Sequence, residues 1–298
     1  MNPAHLGVIG LGLVGRALAT RALEAGMTVA GFDVSASSAA SARTSGVAIA
    51  ADLGALLQAT RIVLICVFND DQFTDVVTRL AAQTDGGASL SLVINAATCS
   101  PAAVEAAAAT MRMRSIAFIE LPLSGSSAQI HAGEALGLVG AEDDTLRRHE
   151  ALLRVLSPLH VHVGPPGSAA RAKLASNLIL GLNRAALAEG IALAEGLGLD
   201  GHRFLELLRL SPAYSRAVDT VGDRMVSRDF TPRSKLAQHR KDLALILEQA
   251  ALQDLVLPLT QAHAGLLDRA IAMGLGDADN AAVIAALTTK SGTRHPAS

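Results

Sequence analysis

The chain has 298 residues, half of them hydrophobic, so it can bury a large core, and its length suggests about two domains. Basic and acidic residues nearly balance, 25 against 27, with no long run of one sign, and aromatic residues make up only 2% with no tryptophan. Nucleic acid is thereby excluded as an expected partner, since both the basic footprint and the base-stacking platforms are missing.

The chain opens with LGVIG, residues 6–10, a short apolar run that ends in glycines. RALATRALEAG follows with helical spacing and a glycine stop at Gly26, and MTVAGFD reads as a second strand ending in an acid. This is one βαβ unit. Its turn carries Gly10, Leu11, Gly12, Leu13, Val14 and Gly15 in the pattern G-x-G-x-x-G. Such a pattern alone is weak, but here it follows a strand and opens a helix. Gly10 suits the tight turn, Gly12 the approach of a pyrophosphate to the backbone, and Gly15 the close packing of helix on strand. Asp33 falls 18 residues after Gly15, where its carboxylate accepts from ribose hydroxyls and repels a 2′-phosphate. NAD is therefore the expected cofactor. Arg43 is close enough in sequence to serve a 2′-phosphate if its loop folds back, which keeps NADP as the alternative.

The alternation continues through VAIA, DLGALLQA capped by Asp52, and RIVLICVF, a buried strand ending at Asn69 and Asp70. QFTDVVTRLAAQ reads as a helix, SLSLVINAAT as a strand, and SPAAVEAAAATMRMRS as a helix with Ser100 as cap and Pro101 at its first position. IAFIELPLS and ALGLVGA supply two further strands. The pattern predicts an α/β fold, a Rossmann-type doubly wound sheet with ligands at the carboxyl ends of its strands.

Around VHVGPPGSAARAK the character changes. A long helix is expected from Ser168 to Leu197, stopped by Gly198, and further helices over 201–210, 214–226, 234–251, 258–274 and 279–289. The reading is a dinucleotide-binding domain over 1–164 and an all-α substrate and dimerisation domain over 165–298. No stretch is uninterruptedly apolar for the length of a membrane span; the richest is broken by Asn183, Arg184, Glu189 and Glu195. Met1 to His5 is too short to hold a secretory signal, and Cys66 and Cys99 lack paired spacing, so a cytoplasmic protein with buried free thiols is expected. The histidines are scattered without ligand spacing, and no metal is expected.

Several later segments, taken with the opening motif, resemble the β-hydroxyacid dehydrogenase family of NAD(P)-dependent oxidoreductases. They are GVIGLGLVGRALA, INAATCSP, LPLSGSSAQIHAGEALGLVGA, GSAARAKLASNLILGLNRAALAEGIALAEGLGLD and HRKDLAL. The resemblance implies that Lys173 is the catalytic acid–base group and Asn177 its neighbour at the substrate. Spacing of i and i+4 on one helix aims both side chains the same way without help from the family. It further implies that Ser124, Gly125 and Ser126 bind the substrate carboxylate, and that Phe68, Asn69, Thr98 and Lys241 contact the cofactor.

A small 3-hydroxy carboxylate exchanged with its 3-oxo acid or semialdehyde is the implied reaction, in a homodimer or homotetramer. Val14 departs from a usual methionine, Ala97 from a serine, Ser234 from an aromatic, and Ser126 from a second glycine. The Ser126 hydroxymethyl group is expected to donate to the substrate or narrow its pocket. An imine reductase-like enzyme and a non-catalytic dinucleotide-binding protein are the competing readings, and the presence of Lys173 argues against both. His131, His239 and Tyr214 read as packing or surface residues, with His239 a candidate for a pocket mouth. Lys241 and Asp242, without the resemblance, read as a surface charge pair.

Overall fold

The computed structural model describes residues 6–87 and 89–287. The segment Met1–His5, read above as too short for a leader, and the last two residues of the 279–289 helix, 288 and 289, lie outside them. Close backbone contacts divide the chain into two units, Met1–Ala175 and Ser176–Ser298.

The first unit is built on a nine-stranded sheet. Its strands are β1 (Leu6–Ile9), β2 (Val29–Phe32), β3 (Ala48–Ile49), β4 (Ile62–Ile65), β5 (Leu92–Asn95), β6 (Ala117–Glu120), β7 (Leu123–Ser124), β8 (Leu136–Gly140) and β9 (His160–Gly164). The order is β3-β2-β1-β4-β5-β6-β8-β7, with β9 on β8. Strands β1 to β6 pair in parallel, and β8 runs antiparallel to β6 and β7 but parallel to β9. The order reverses between β1 and β4, the crevice at which doubly wound sheets bind ligands.

Helices cover both faces, as a sheet of apolar parallel strands requires. They are α1 (Leu13–Glu24), α2 (Ala36–Thr44), α3 (Leu53–Ala59), α4 (Asp70–Asp85), α5 (Pro101–Arg112), α6 (Ser127–Ala132) and α7 (Asp143–Leu156). Leu18 and Ala22 of α1, Ile130 of α6 and Leu153 of α7 pack with Leu6 and Val8 on one side. Leu56 of α3, Phe73 and Leu80 of α4 and Val104 and Met111 of α5 pack with Val63 and Ile65 on the other. Helices begin where side chains satisfy their free amides: Ser35, Asp52, Asn69 and Ser100 each accept a bond from the third residue on.

Two segments differ from the sequence reading. IAFIELPLS is not one strand: Leu121 and Pro122 separate β6 from β7, and β7 turns to pair with β8. Proline offers no amide to a ladder, so the break falls there. HVHVG forms β9, which the punctuation of Pro165, Pro166 and Gly167 concealed.

From Ser168 to Gly196 runs α8, whose first two turns belong to the first unit, and Gly198 at φ 85° follows it. The second unit continues with α9 (Gly201–Leu210), a π-helical turn over Val218–Gly222, α10 (Asp223–Ser227), α11 (Leu236–Ala251), α12 (Pro258–Ala272) and a 3-10 segment over Asn280–Ala286. Among the described residues its only β pairing is an isolated bridge, Lys235 to Asp279. Gly181 lets α11 and α12 approach α8: a Cβ there would stand 2.5 Å from His239 Nε2 and 2.9 Å from His263 Cε1.

Candidate active site

The glycine turn has three different physical constraints. Gly10 sits at φ 89°, and a Cβ on it would lie 2.4 Å from the Cys66 carbonyl oxygen, so both backbone and space demand glycine. A Cβ on Gly15 would stand 1.9 Å from the Gly10 oxygen, which fixes glycine where α1 crosses the turn. A Cβ on Gly12 would meet nothing within 4 Å. This middle glycine therefore faces open space, at the start of a helix with no side-chain cap and no acid in its first turn. Helix-start amides without a side-chain cap, the positive end of the helix dipole and room for close approach fit the pyrophosphate of a dinucleotide. Leu11 is buried beneath the turn, and Leu13 and Val14 are partly exposed at the helix start.

Asp33 lies just past β2 and ties the turn to that strand end. Its Oδ2 accepts the Leu11 amide at 2.6 Å and its Oδ1 the Ser35 amide at 2.7 Å. Each carboxylate oxygen has a second lone pair, so these bonds orient the group while leaving acceptor capacity. Beyond β4, Phe68 is exposed and Asn69 caps α4 by accepting from the Gln72 amide. Thr98 follows β5 in a bend set by the buried Asn95, whose Oδ1 accepts the Ala97 amide at 3.0 Å. These groups belong to the carboxyl ends of β1, β2, β4 and β5.

A second cluster forms at β7 and the start of α8. Lys173 is only 6% exposed, and its Nζ donates to the Leu123 carbonyl at 2.7 Å. That carbonyl immediately precedes Ser124, so the ammonium stands at the root of the Ser124–Gly125–Ser126 loop. Gly125 is needed there, because a Cβ would come within 2.7 Å of the Ala135 Cβ.

The Ser126 side chain, expected at the substrate, here makes a local contact. It caps α6, its Oγ accepting the Gln129 amide at 3.3 Å while Gln129 Oε1 accepts the Ser126 amide at 2.9 Å. The departure from a second glycine thus builds a reciprocal capping box.

Glu120 is the residue here that sequence reasoning missed. At the end of β6 it is 1% exposed, and its Oε2 accepts the amides of Gly167 at 2.9 Å and Ala169 at 3.2 Å. Burial pushes its carboxyl up to about 7, against the lowering effect of those amides and of Arg171. An acid inside the apolar run IAFIELPL is the signal that identifies it. Arg171 itself is engaged by Glu105.

In the second unit, Asn177 is buried and its Nδ2 donates to Asp242 Oδ2 at 3.0 Å. Asp242 is 6% exposed, and its other oxygen pairs with Lys241 Nζ at 3.0 Å. The surface-pair reading of Lys241 and Asp242 is therefore wrong: helix α11 turns the carboxylate inward, where the Asn177 amide satisfies it. His239 is buried against His263, ring centroids 5.2 Å apart, and burial beside Arg184 pulls His263 down to about 4. His131 pairs with Glu24 and Tyr214 with Asp219, both on the surface.

Fold and glycine turn define a Rossmann-type dinucleotide-binding protein with a helical C-terminal half. Residues 5–164 match the family model for the NAD-binding domain of 6-phosphogluconate dehydrogenase, and residues 167–287 match that for the NAD-binding of NADP-dependent 3-hydroxyisobutyrate dehydrogenase. The chain belongs to the β-hydroxyacid dehydrogenase family.

Among curated relatives, 2-(hydroxymethyl)glutarate dehydrogenase of Eubacterium barkeri is 29% identical over 194 residues, 65% of this chain and 64% of the relative. The 2-hydroxy-3-oxopropionate reductase of Escherichia coli is 31% identical over 170 residues, 57% of this chain and 58% of the relative. These alignments span less than two thirds of either relative's length. The solved 3-hydroxyisobutyrate dehydrogenase of Mycobacterium tuberculosis, described with L-serine, superposes with a TM-score of 0.83 at 25% identity, covering 96% of this chain and all of that one.

Proposed function

We propose that this protein is an NAD(P)-dependent oxidoreductase that interconverts a small 3-hydroxy carboxylate and its 3-oxo acid or semialdehyde. The observation that carries the reading is Lys173, a buried lysine whose ammonium reaches the carbonyl at the base of the Ser124–Ser126 loop.

A bound nicotinamide supplies the chemistry of hydride exchange at the carbinol carbon. The protein must then manage one proton and one carboxylate. In the oxidative direction Lys173 Nζ, as the neutral amine, takes the hydroxyl proton while the carbinol carbon gives up its hydrogen as hydride. In the reductive direction it returns a proton to the developing alkoxide, whose charge the ammonium also stabilises. The Ser124 hydroxyl and the amides of Gly125 and Ser126 are assigned to the substrate carboxylate, with Asn177 as a further polar contact. Asp242 keeps the Asn177 amide oriented and pairs with Lys241, which is assigned to the cofactor.

The glycine turn, Asp33, Phe68, Asn69 and Thr98 make the remaining cofactor contacts in this reading, within a cofactor domain over 1–164 followed by an α-domain over 165–298. Asp33 favours NAD, because a 2′-phosphate would meet a carboxylate already held in place by two backbone amides. On α8, Ile179, Ala186 and Leu193 are exposed at spacings that bring them to one face of the helix. That stripe supports assembly as a homodimer or homotetramer.

The test is purified protein with NAD or NADP and a panel of 3-hydroxy acids, read at the absorbance of the reduced nicotinamide. Turnover of at least one 3-hydroxy carboxylate, lost in Lys173→Ala, supports the proposal. Cofactor binding with no turnover across the panel would favour a non-catalytic dinucleotide-binding protein.

A further inference from the structure

We propose that Glu120 is a positioning residue for Lys173: from the end of β6 its carboxylate clamps the first turn of α8 and so fixes where the Lys173 ammonium lands. The inference rests on the reading of Lys173 as the acid–base group.

The stretch from Glu120 to Leu123 grips α8 at two places. Glu120 Oε2 takes the amides of Gly167 and Ala169, and the Leu123 carbonyl takes Lys173 Nζ. Ala169 and Lys173 are four residues apart, about one helical turn. Two anchors so spaced, both from one four-residue segment, leave the helix start no freedom to rotate or slide without breaking a bond.

An ordinary helix satisfies its first amides with a serine, threonine or aspartate at its own cap position. Here that position is Gly167, which has no side chain and sits at φ 95°. The acceptor comes instead from 47 residues earlier, at the cost of burying a carboxyl. A local cap would stabilise the helix equally well; a cap from β6 additionally ties the helix to the strand that leads into the substrate loop. Space is reserved for it, since a Cβ on Gly140 would come within 2.4 Å of Glu120 Oε2. The charged groups at hand are Arg171, one turn along α8, and Glu105 of α5, which engages that arginine.

The variants Glu120→Gln and Glu120→Leu separate position from bulk. Glutamine keeps a carbonyl oxygen that can accept both amides; leucine fills similar space and accepts nothing. Assays run well below each measured Tm, at saturating substrate, with dinucleotide Kd measured separately. The expected result is that Glu120→Gln keeps at least about a third of kcat, whereas Glu120→Leu loses roughly 10- to 100-fold, as a small displacement of a reacting group does. Dinucleotide Kd stays unchanged in both.

A second readout needs no turnover: acylation of Lys173 by an amine-reactive reagent, followed by mass spectrometry, should accelerate about tenfold or more in Glu120→Leu and little in Glu120→Gln. Wild-type kcat in Glu120→Leu, or equal Lys173 labelling in all three proteins, overturns the proposal. So does a parallel loss of dinucleotide binding, which would make Glu120 a support of the whole sheet. If the wild-type protein turns over no substrate, the functional reading fails, while the labelling still decides whether Glu120 holds Lys173 in place.

Discussion

Glu120 carries a charge cost as well as a position. A carboxyl whose value is about 7 when folded, against the ordinary 4.5, holds its proton more tightly in the folded state. The folded chain then binds more protons than the unfolded one between those values, so this group's contribution to stability falls as pH rises through that window and stays low above it. The total is about 3 kcal/mol. Glu120→Gln removes the titration, so it should be at least as stable as the parent at pH 8 and should flatten the difference in unfolding free energy between pH 5 and 8. Denaturant melts of both proteins at the two pH values check this. A wild-type and variant pair with the same pH slope contradicts it.

Asp33 and Ser126 give two further expectations at this scale. With Asp33 intact, kcat/KM for NAD should exceed that for NADP by at least about tenfold. Replacing Asp33 with serine should narrow that gap and weaken NAD, since the Leu11 amide loses its acceptor. A wild-type preference for NADP would contradict the role given to Asp33. Ser126→Gly should cost only a few tenths of a kcal/mol, because glycine is a tolerated cap, and should leave the ranking of substrates unchanged. A changed ranking across the 3-hydroxy acid panel would return the hydroxyl to the substrate pocket.

At the scale of elements, legibility in the sequence depends on how local the cause is. The turn after β1 is legible because each glycine serves a contact within its own βαβ unit. The helix starts at Asp52 and Ser100 are equally local, whereas Asn69, read as the end of a strand, caps α4. The capping box at Ser126 is written in SSAQ, a serine with glutamine three residues later, but the family pattern draws attention to the serine as a departure instead. Pro122 is a local signal too, one that the reading of IAFIELPLS as a single strand passed over: a residue without an amide interrupts a ladder.

Glu120 and Asp242 are not legible, because their meaning lies in partners 47 and 65 residues away. An acid in an apolar run and a lysine–aspartate pair each have several local readings. Only the fold selects the one in which α11 turns Asp242 towards Asn177 and β6 brings Glu120 under the start of α8. The π-helical turn over Val218–Gly222 likewise interrupts a segment that reads as ordinary helix from 214 to 226.

For the whole molecule, the alternation of strands and helices and the later change to helices alone are sufficient for the fold class, and the family match covers both parts. Among the described residues no helix is long and apolar enough to cross a membrane. The exposed stripe on α8 leads to an expectation for assembly: the protein should elute as a dimer or tetramer by light scattering. Ile179→Glu with Leu193→Glu should shift it to the monomer. A monomeric wild-type protein at micromolar concentration would contradict that assignment.

The role of Lys173 is tested by the rate of nicotinamide reduction with a panel of 3-hydroxy carboxylates, wild type beside Lys173→Ala. The wild type should turn over at least one such acid, and kcat should fall about 10²- to 10⁴-fold in the variant with dinucleotide Kd unchanged. Undiminished kcat in Lys173→Ala would contradict that role.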